Sequence, residues 1–166
     1  MMRETLLDIA QSGVLAPSAD NQHVFQIEIG ESFIRLWPTR EFSANTARHR
    51  HVLGLISLGA AIENMRLRAT ECGLAAQANW FPHGSETPLV QLDLQAAPQA
   101  GADALAAAIP ARCTNRRMYH GPGLNQEERT LLTDAVVSVE GVQLIWLSGA
   151  AKRRALGLIW RAESER

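Results

Sequence analysis

A chain of 166 residues has the length of one ordinary domain, and its 46% hydrophobic and 20% charged residues are typical of a globular protein. Its 16 basic and 17 acidic residues leave a formal net charge of −1, so no overall field draws it to nucleic acid or an anionic membrane. The two cysteines form no CxxC pair, and no apolar stretch is long enough to cross a bilayer. We therefore expect a cytoplasmic protein without a zinc site, a nucleic-acid partner or a membrane span.

The first part of the chain predicts a helix followed by a β-hairpin. Apolar residues recur at helical spacing up to Pro17, which ends the helix because the residue before a proline avoids the α region. Residues 23–29 and 33–37 alternate as strands do, and the short connection between them fits a hairpin turn. The polar segment 38–50 is predicted to be irregular.

The longest predicted helix spans residues 51–72, with Gly73 as its C-cap. Its first half carries almost no charge, and a helix that is apolar all round is typically buried. We expect this helix to be the central core helix or a subunit interface.

Two further strands are predicted at residues 76–81 and 89–94, followed by a short helix at 102–108. The connection between the strands has turn chemistry.

The end of the chain predicts a helix, a strand and a helix. Asn125 followed by Glu128 is a capping box for a helix that runs to about residue 140. A strand at 142–147 and a helix over 150–166, capped by Ser148, come next. This last helix has no stop signal, which favours a piece of a longer domain.

Two loops carry the side chains best suited to a ligand. The first follows Pro17 and contains Ser18, Asn21 and Gln22, which offer neutral donors and acceptors for the edge of a polar heterocycle. In the alternative interpretation it is a helix-ending turn whose side chains bind the local backbone.

The second loop contains Arg112, Thr114, Arg116 and Arg117 just before a helix. Guanidinium forks match phosphate oxygens in two-point contacts, so the loop could bind a phosphate group. The alternative is a solvated basic turn. A third cluster, residues 48–51, is interpreted as a solvated lead-in to the long helix.

Together the two loops resemble the nitroreductase family of flavin-dependent oxidoreductases. The stretch Ala16-Pro17-Ser18-Ala19-Asp20-Asn21 is similar to the family's A-P-S-x-x-N-x-Q-P-W, although Gln22 follows directly and the Pro-Trp pair is absent. Residues 112–119 are similar to its R-R-S-x-R-x-F motif, and residues 56–67 resemble its long central helix.

This resemblance implies an α+β fold, with a central mixed or antiparallel sheet flanked by helices and a long buried central helix. The order of the motifs resembles the duplicated branch of the family, in which one chain mimics the usual dimer. Residues 1–166 would then be a single nitroreductase-like domain, incomplete at its C-terminus, with residues 1–108 as the first half and 109–166 as the start of the second.

The resemblance also implies FMN as cofactor, with no catalytic acid or base. Arg112, Thr114 and Arg116 would hold its phosphate, and Ser18, Asn21 and Gln22 its ribityl chain or ring. The implied function is NAD(P)H-linked reduction of a small electron-poor substrate, nitroaromatic or quinone-like, in a homodimer or an intramolecular pseudo-dimer. Two alternatives stay open: a degenerate flavin-fold domain serving as scaffold, flavin store or partner module, and a plain α+β interaction domain.

Overall fold

A computed structural model of the chain describes residues 3–44, 47–82, 88–99, 101–115, 117, 121–137 and 139–164. The chain divides into two compact units, Met1–Arg116 and Arg117–Arg166. The helices are α1 Arg3–Val14, α2 Arg40–Ala44, α3 Arg48–Glu71, α4 Gln126–Val137 and α5 Gly149–Ser164, with 3-10 turns at Ala19–Asn21 and Ala106–Ala108. None of the described helices combines the length and apolar character that a membrane span requires.

The first unit is built on a four-stranded sheet. Its strands are β1 Phe25–Ile29, β2 Phe33–Pro38, β3 Leu74–Trp80 and β4 Val90–Ala96. They lie in the order β1-β2-β4-β3, and every neighbouring pair is antiparallel. The predicted α+β class is therefore confirmed, with an antiparallel sheet.

The core of this unit forms where α1 and α3 pack against each other and against the sheet. Its most deeply buried side chains are Leu6, Ile9, Ile34, Leu36, Leu58, Met65, Val90 and Leu92. A Cβ atom on Gly13 would lie 2.2 Å from a Met65 side-chain atom, so glycine is what lets the two helices approach this closely. Asn64 Nδ2 donates to the Ser12 carbonyl at 3.0 Å and joins the same two helices.

The prediction that segment 38–50 is irregular is wrong, because α2 lies within it and α3 begins at Arg48. The helix α2 forms because of Phe42, whose role the polar sequence around it does not indicate. Its ring is buried and stacks on the His51 ring at a centroid distance of 4.2 Å. One aromatic contact thus stabilises a helix that has no apolar repeat.

The long helix α3 ends as predicted, with Gly73 in the left-handed region at φ 68°. Its second half is core, since Met65 is fully buried. Its first half is covered on one side only: Gly54 and Leu58 are buried, whereas Val52, Leu53 and Ile56 are 48%, 41% and 63% exposed. The expected burial therefore holds for only part of the helix within this chain.

The capping box at the start of α4 is confirmed in the second unit. The Asn125 backbone N–H donates to Glu128 Oε2 at 2.8 Å, and the Glu128 N–H donates to Asn125 Oδ1 at 2.8 Å. The helix ends at Val137, earlier than predicted.

Two predicted elements are wrong. The described residues 142–148 form neither helix nor strand, because alternating apolar residues make a strand only where a partner strand supplies hydrogen bonds. The short helix at 102–108 is reduced to the 3-10 turn Ala106–Ala108. The last helix is present as α5, directly after Ser148.

Candidate functional site

The polar loop between α1 and β1 contains the short 3-10 turn Ala19–Asn21. The turn is closed by main-chain hydrogen bonds, from Asn21 N to the Ser18 carbonyl at 3.2 Å and from Gln22 N to the Ala19 carbonyl at 3.1 Å. Asn21 adopts φ 55°, a left-handed conformation that asparagine tolerates better than most residues. These main-chain hydrogen bonds close the turn on itself.

The side chains of this loop are arranged differently from the helix-ending turn considered above. Ser18 occupies the N-cap position of the 3-10 turn, but its hydroxyl makes no capping hydrogen bond. Asn21 and Gln22 are exposed. The three predicted ligand-binding residues therefore lie together on a turn closed by main-chain bonds.

A hydrogen bond to α3 fixes the position of this loop. The Ala19 N–H donates to Ser57 Oγ at 3.0 Å, and Ser57 Oγ donates to the Leu53 carbonyl at 2.9 Å. Ser57 is only 5% exposed, so water competes little for this contact.

The second predicted loop meets the first at the end of α1. Arg112 Nη2 donates to the Leu15 carbonyl at 3.2 Å, a contact between residues 97 positions apart. Ser18 follows Leu15 by three positions, and three extended residues span at most about 11 Å. The Cα atoms of Leu15 and Ser18 therefore lie no farther apart than this distance. A guanidinium has five N–H donors, so one bond to a carbonyl does not exhaust Arg112.

The other phosphate ligands predicted in this loop have different outcomes. Thr114 is exposed and lies two residues after Arg112. Arg116 lies outside the described residues. The structure thus brings Arg112 to the end of α1, close to the Pro17 loop, and leaves Thr114 in an exposed position nearby in the chain.

A cleft of about 450 Å³ opens beside the first loop. Ala19, Gln22 and the apolar Leu53 of α3 line it, and Glu41 and Arg50 add charge. Of the predicted site residues that the structure describes, Gln22 alone lines this cleft.

The sequence interpretation missed Arg50 as a cleft residue. The cluster at residues 48–51 is solvated as predicted, since residues 48–50 are exposed, but it is the first turn of α3 and not a lead-in to it. The available signal was the concentration of basic residues directly before an uncharged helical half. Gly54 was missed as well: a Cβ atom there would lie 2.5 Å from the Phe42 ring, so glycine allows Phe42 to pack against α3 beside the cleft.

The charged cluster at the other end of α3 is structural. Arg68 binds Asp8 of α1 at 2.8 Å and also Glu71, and its hydrogen bonds to Glu71 and Asp8 raise the pKa of its guanidinium. Burial raises the pKa of the adjacent Cys72 thiol. Arg68 lies eleven positions after Ser57 in α3, so at a rise of about 1.5 Å per residue it is about 16 Å farther along the helix and away from the Pro17 loop. Among the described residues, no group of three His, Cys, Asp or Glu side chains could hold a metal ion.

No protein-family model and no curated protein matches the chain. Several solved structures resemble it. Nitroreductase A from Vibrio parahaemolyticus is 15% identical with a TM-score of 0.46, over 81% of this chain and 75% of that one. The NADPH:FMN oxidoreductase from Vibrio harveyi, complexed with NAD+, is 14% identical with a TM-score of 0.46, over 83% and 77%. The NfrA1 nitroreductase from B. subtilis is 12% identical with a TM-score of 0.47, over 82% and 73%.

Two of these three structures are named as nitroreductases, the family that the two loops resemble. At TM-scores of 0.46–0.47 and 12–15% identity, this likeness gives no residue of this chain a role.

Proposed function

We propose that the chain binds FMN and takes part in the NAD(P)H-linked reduction of a small electron-poor substrate, of nitroaromatic or quinone-like chemistry. The observation that carries the proposal is the hydrogen bond between Arg112 and the Leu15 carbonyl. It places a cation at the end of α1, just before the turn that presents Ser18 and Asn21. A phosphate ligand and neutral ring ligands are the two kinds of group that FMN requires.

The chemistry of the residues fits this cofactor. The Ser18 hydroxyl and the Asn21 and Gln22 amides donate and accept at neutral charge, as the ribityl chain and the flavin ring edge need. Arg112 and Thr114, with Arg116, would hold the phosphate. The cleft of about 450 Å³ beside Gln22 lies within the range of about 300–1,000 Å³ that small-molecule sites occupy.

When bound, the flavin supplies the redox chemistry itself, so the protein needs no acid or base of its own. The residues of this chain bind and orient. The turn at Ala19–Asn21 positions the neutral ligands, Arg112 compensates the phosphate charge, and the Leu53 wall excludes water from one side of the cleft.

Titration with FMN and with riboflavin tests the proposal, because only FMN carries the phosphate. We expect Arg112→Ala to weaken FMN about tenfold or more, since a hydrogen bond to a charged group contributes about 1.5–3 kcal/mol, and to leave riboflavin unchanged. Asn21→Ala is expected to weaken both flavins by at least about fivefold, because it removes a hydrogen bond that the side-chain amide would make to the flavin. Flavin fluorescence measures each affinity.

Arg66→Ala is the matched control. Arg66 is an exposed arginine of the same unit, but it pairs with Glu63 on the surface of α3 at 3.1 Å. It should leave both affinities unchanged. A wild-type protein that is colourless and binds neither flavin contradicts the proposal and leaves the scaffold interpretation.

We further propose that a second copy of the chain covers the exposed face of α3 and completes the site. Val52, Leu53 and Ile56 expose an apolar surface there, and Leu53 also lines the cleft. An intramolecular pseudo-dimer in a longer chain is the alternative. Sedimentation at micromolar concentration should show a dimer that Ile56→Arg dissociates, because the substitution places a charge in an apolar contact. A wild-type protein that sediments as a monomer excludes the second copy.

A further inference from the structure

We propose that Ser57 is a positioning residue, which holds the Pro17 loop at a fixed distance from the cleft wall and so sets the placement of Ser18, Asn21 and Gln22. As far as flavin is concerned, the inference rests on the proposed function. It concerns a residue in the middle of a helix that itself presents no group to the cleft.

The hydroxyl of Ser57 joins two elements at once. It accepts from the Ala19 N–H of the loop at 3.0 Å and donates to the Leu53 carbonyl, one turn earlier in α3, at 2.9 Å. Because a hydroxyl has a single proton, donating it to Leu53 turns the lone pairs toward Ala19. The bond within the helix therefore orients the bond to the loop.

The loop needs this partner because of where Ala19 lies. Ala19 begins the 3-10 turn, and the first N–H groups of a helical turn have no acceptor within the turn. A side chain at the N-cap serves the second or third N–H of a turn, so the Ser18 hydroxyl, which makes no capping hydrogen bond, is not the partner of the Ala19 N–H. Ser57 thus supplies from α3 the acceptor that the turn itself lacks.

The same hydroxyl connects two residues that line the cleft. Ser57 binds the carbonyl of Leu53 and the N–H of Ala19, and both residues line the cleft, as Gln22 does. Removing the hydroxyl would therefore let the loop shift relative to the wall, while the cleft residues themselves stay unchanged.

Ser12 is a matched control that the chain itself provides. Ser12 and Ser57 are both 5% exposed, and both donate to a carbonyl of their own helix. The Ser12 hydroxyl lies 2.6 Å from the Ile9 carbonyl and 3.2 Å from that of Asn64, so it joins α1 to α3 and binds no part of the loop. Loss of either hydroxyl removes a buried hydrogen bond, but only one of them holds the loop.

Amide hydrogen exchange and FMN titration together test the inference. Ser57→Ala is expected to speed exchange of the Ala19 amide in the flavin-free protein about tenfold or more and to raise the dissociation constant of FMN about tenfold. Ser12→Ala is expected to lower the melting temperature and to leave both quantities at the wild-type level. Ser57→Thr, which keeps the hydroxyl, should restore both.

An unchanged Ala19 exchange rate in Ser57→Ala overturns the inference. Equal effects of Ser57→Ala and Ser12→Ala on FMN overturn it as well, because the hydroxyl would then act only through stability. If Ser57→Ala does not fold, Ser57→Cys, a weaker hydrogen-bonding group, is expected to show the faster Ala19 exchange in its place. If the wild type binds no FMN, the proposed function fails by itself, and the Ala19 exchange rate still decides whether Ser57 holds the loop.

Discussion

In the first unit Leu58 and Met65 of α3 are fully buried, whereas α4 of the second unit buries no residue, and its Leu131 is 64% exposed. Trp160 of α5 is likewise 74% exposed. The helices of both units carry apolar residues at helical spacing, but among the described residues a sheet for them to pack on is found in the first unit alone. An apolar helical face therefore stabilises a unit only where a second layer covers it.

The largest expected difference between the units is in the effect of shortening a helical leucine. Leu58→Ala should lower the free energy of unfolding by about 2–5 kcal/mol, because it removes a fully buried side chain from a packed core. Leu131→Ala should change it by no more than about 0.5 kcal/mol, as surface substitutions do. Urea unfolding followed by circular dichroism measures both.

This pair of variants also decides whether α4 is uncovered in solution while α3 is packed in a core. A cost for Leu131→Ala that approached the cost for Leu58→Ala would mean that the face of α4 is covered, by a second copy or by further chain. Helices of both units would then be packed, those of the first unit on their own sheet and α4 on a second copy or on further chain.

A smaller effect concerns the local signals on which the second unit depends. Asn125→Ala removes the acceptor of the capping box and should cost the first turn of α4 about 1 kcal/mol. Hydrogen exchange of the amides at residues 126–129 should become severalfold faster, with the urea midpoint of the first unit unchanged. Asn125→Asp keeps an acceptor and serves as the control. Unaltered exchange in Asn125→Ala would show that packing, and not the cap, holds this helix.

The candidate site was predicted from the sequence only in part. Ser18, Asn21 and Gln22 do lie on one turn, and Arg112 does approach it, although their roles toward a ligand stay predictions. Ser57 and Arg50 were not found. Ser57 lies within the stretch 56–67 and Arg50 within the cluster 48–51, but neither pattern marks the residue itself. Ser57 acquires its role from its contact with Ala19, 38 positions away.

Features that depend on a few neighbouring residues could be predicted without knowing the fold. They are the start of α4 with its Asn125 and Glu128 capping box, the end of α3 at Gly73, and the hairpin of β1 and β2, which follows from alternation and a short turn. Each of these signals acts within about one turn of backbone, so no distant residue has to be known.

Features that need a distant partner could be found only in the folded chain. Phe42 stabilises α2 by stacking on His51, Arg112 reaches a carbonyl 97 positions away, and Ala19 finds its acceptor on α3. For the same reason residues 142–147, which alternate like a strand, are not one in the described part of the second unit. A strand, a buried aromatic ring and a held loop all depend on a surface that other parts of the chain supply, and no local pattern specifies that surface.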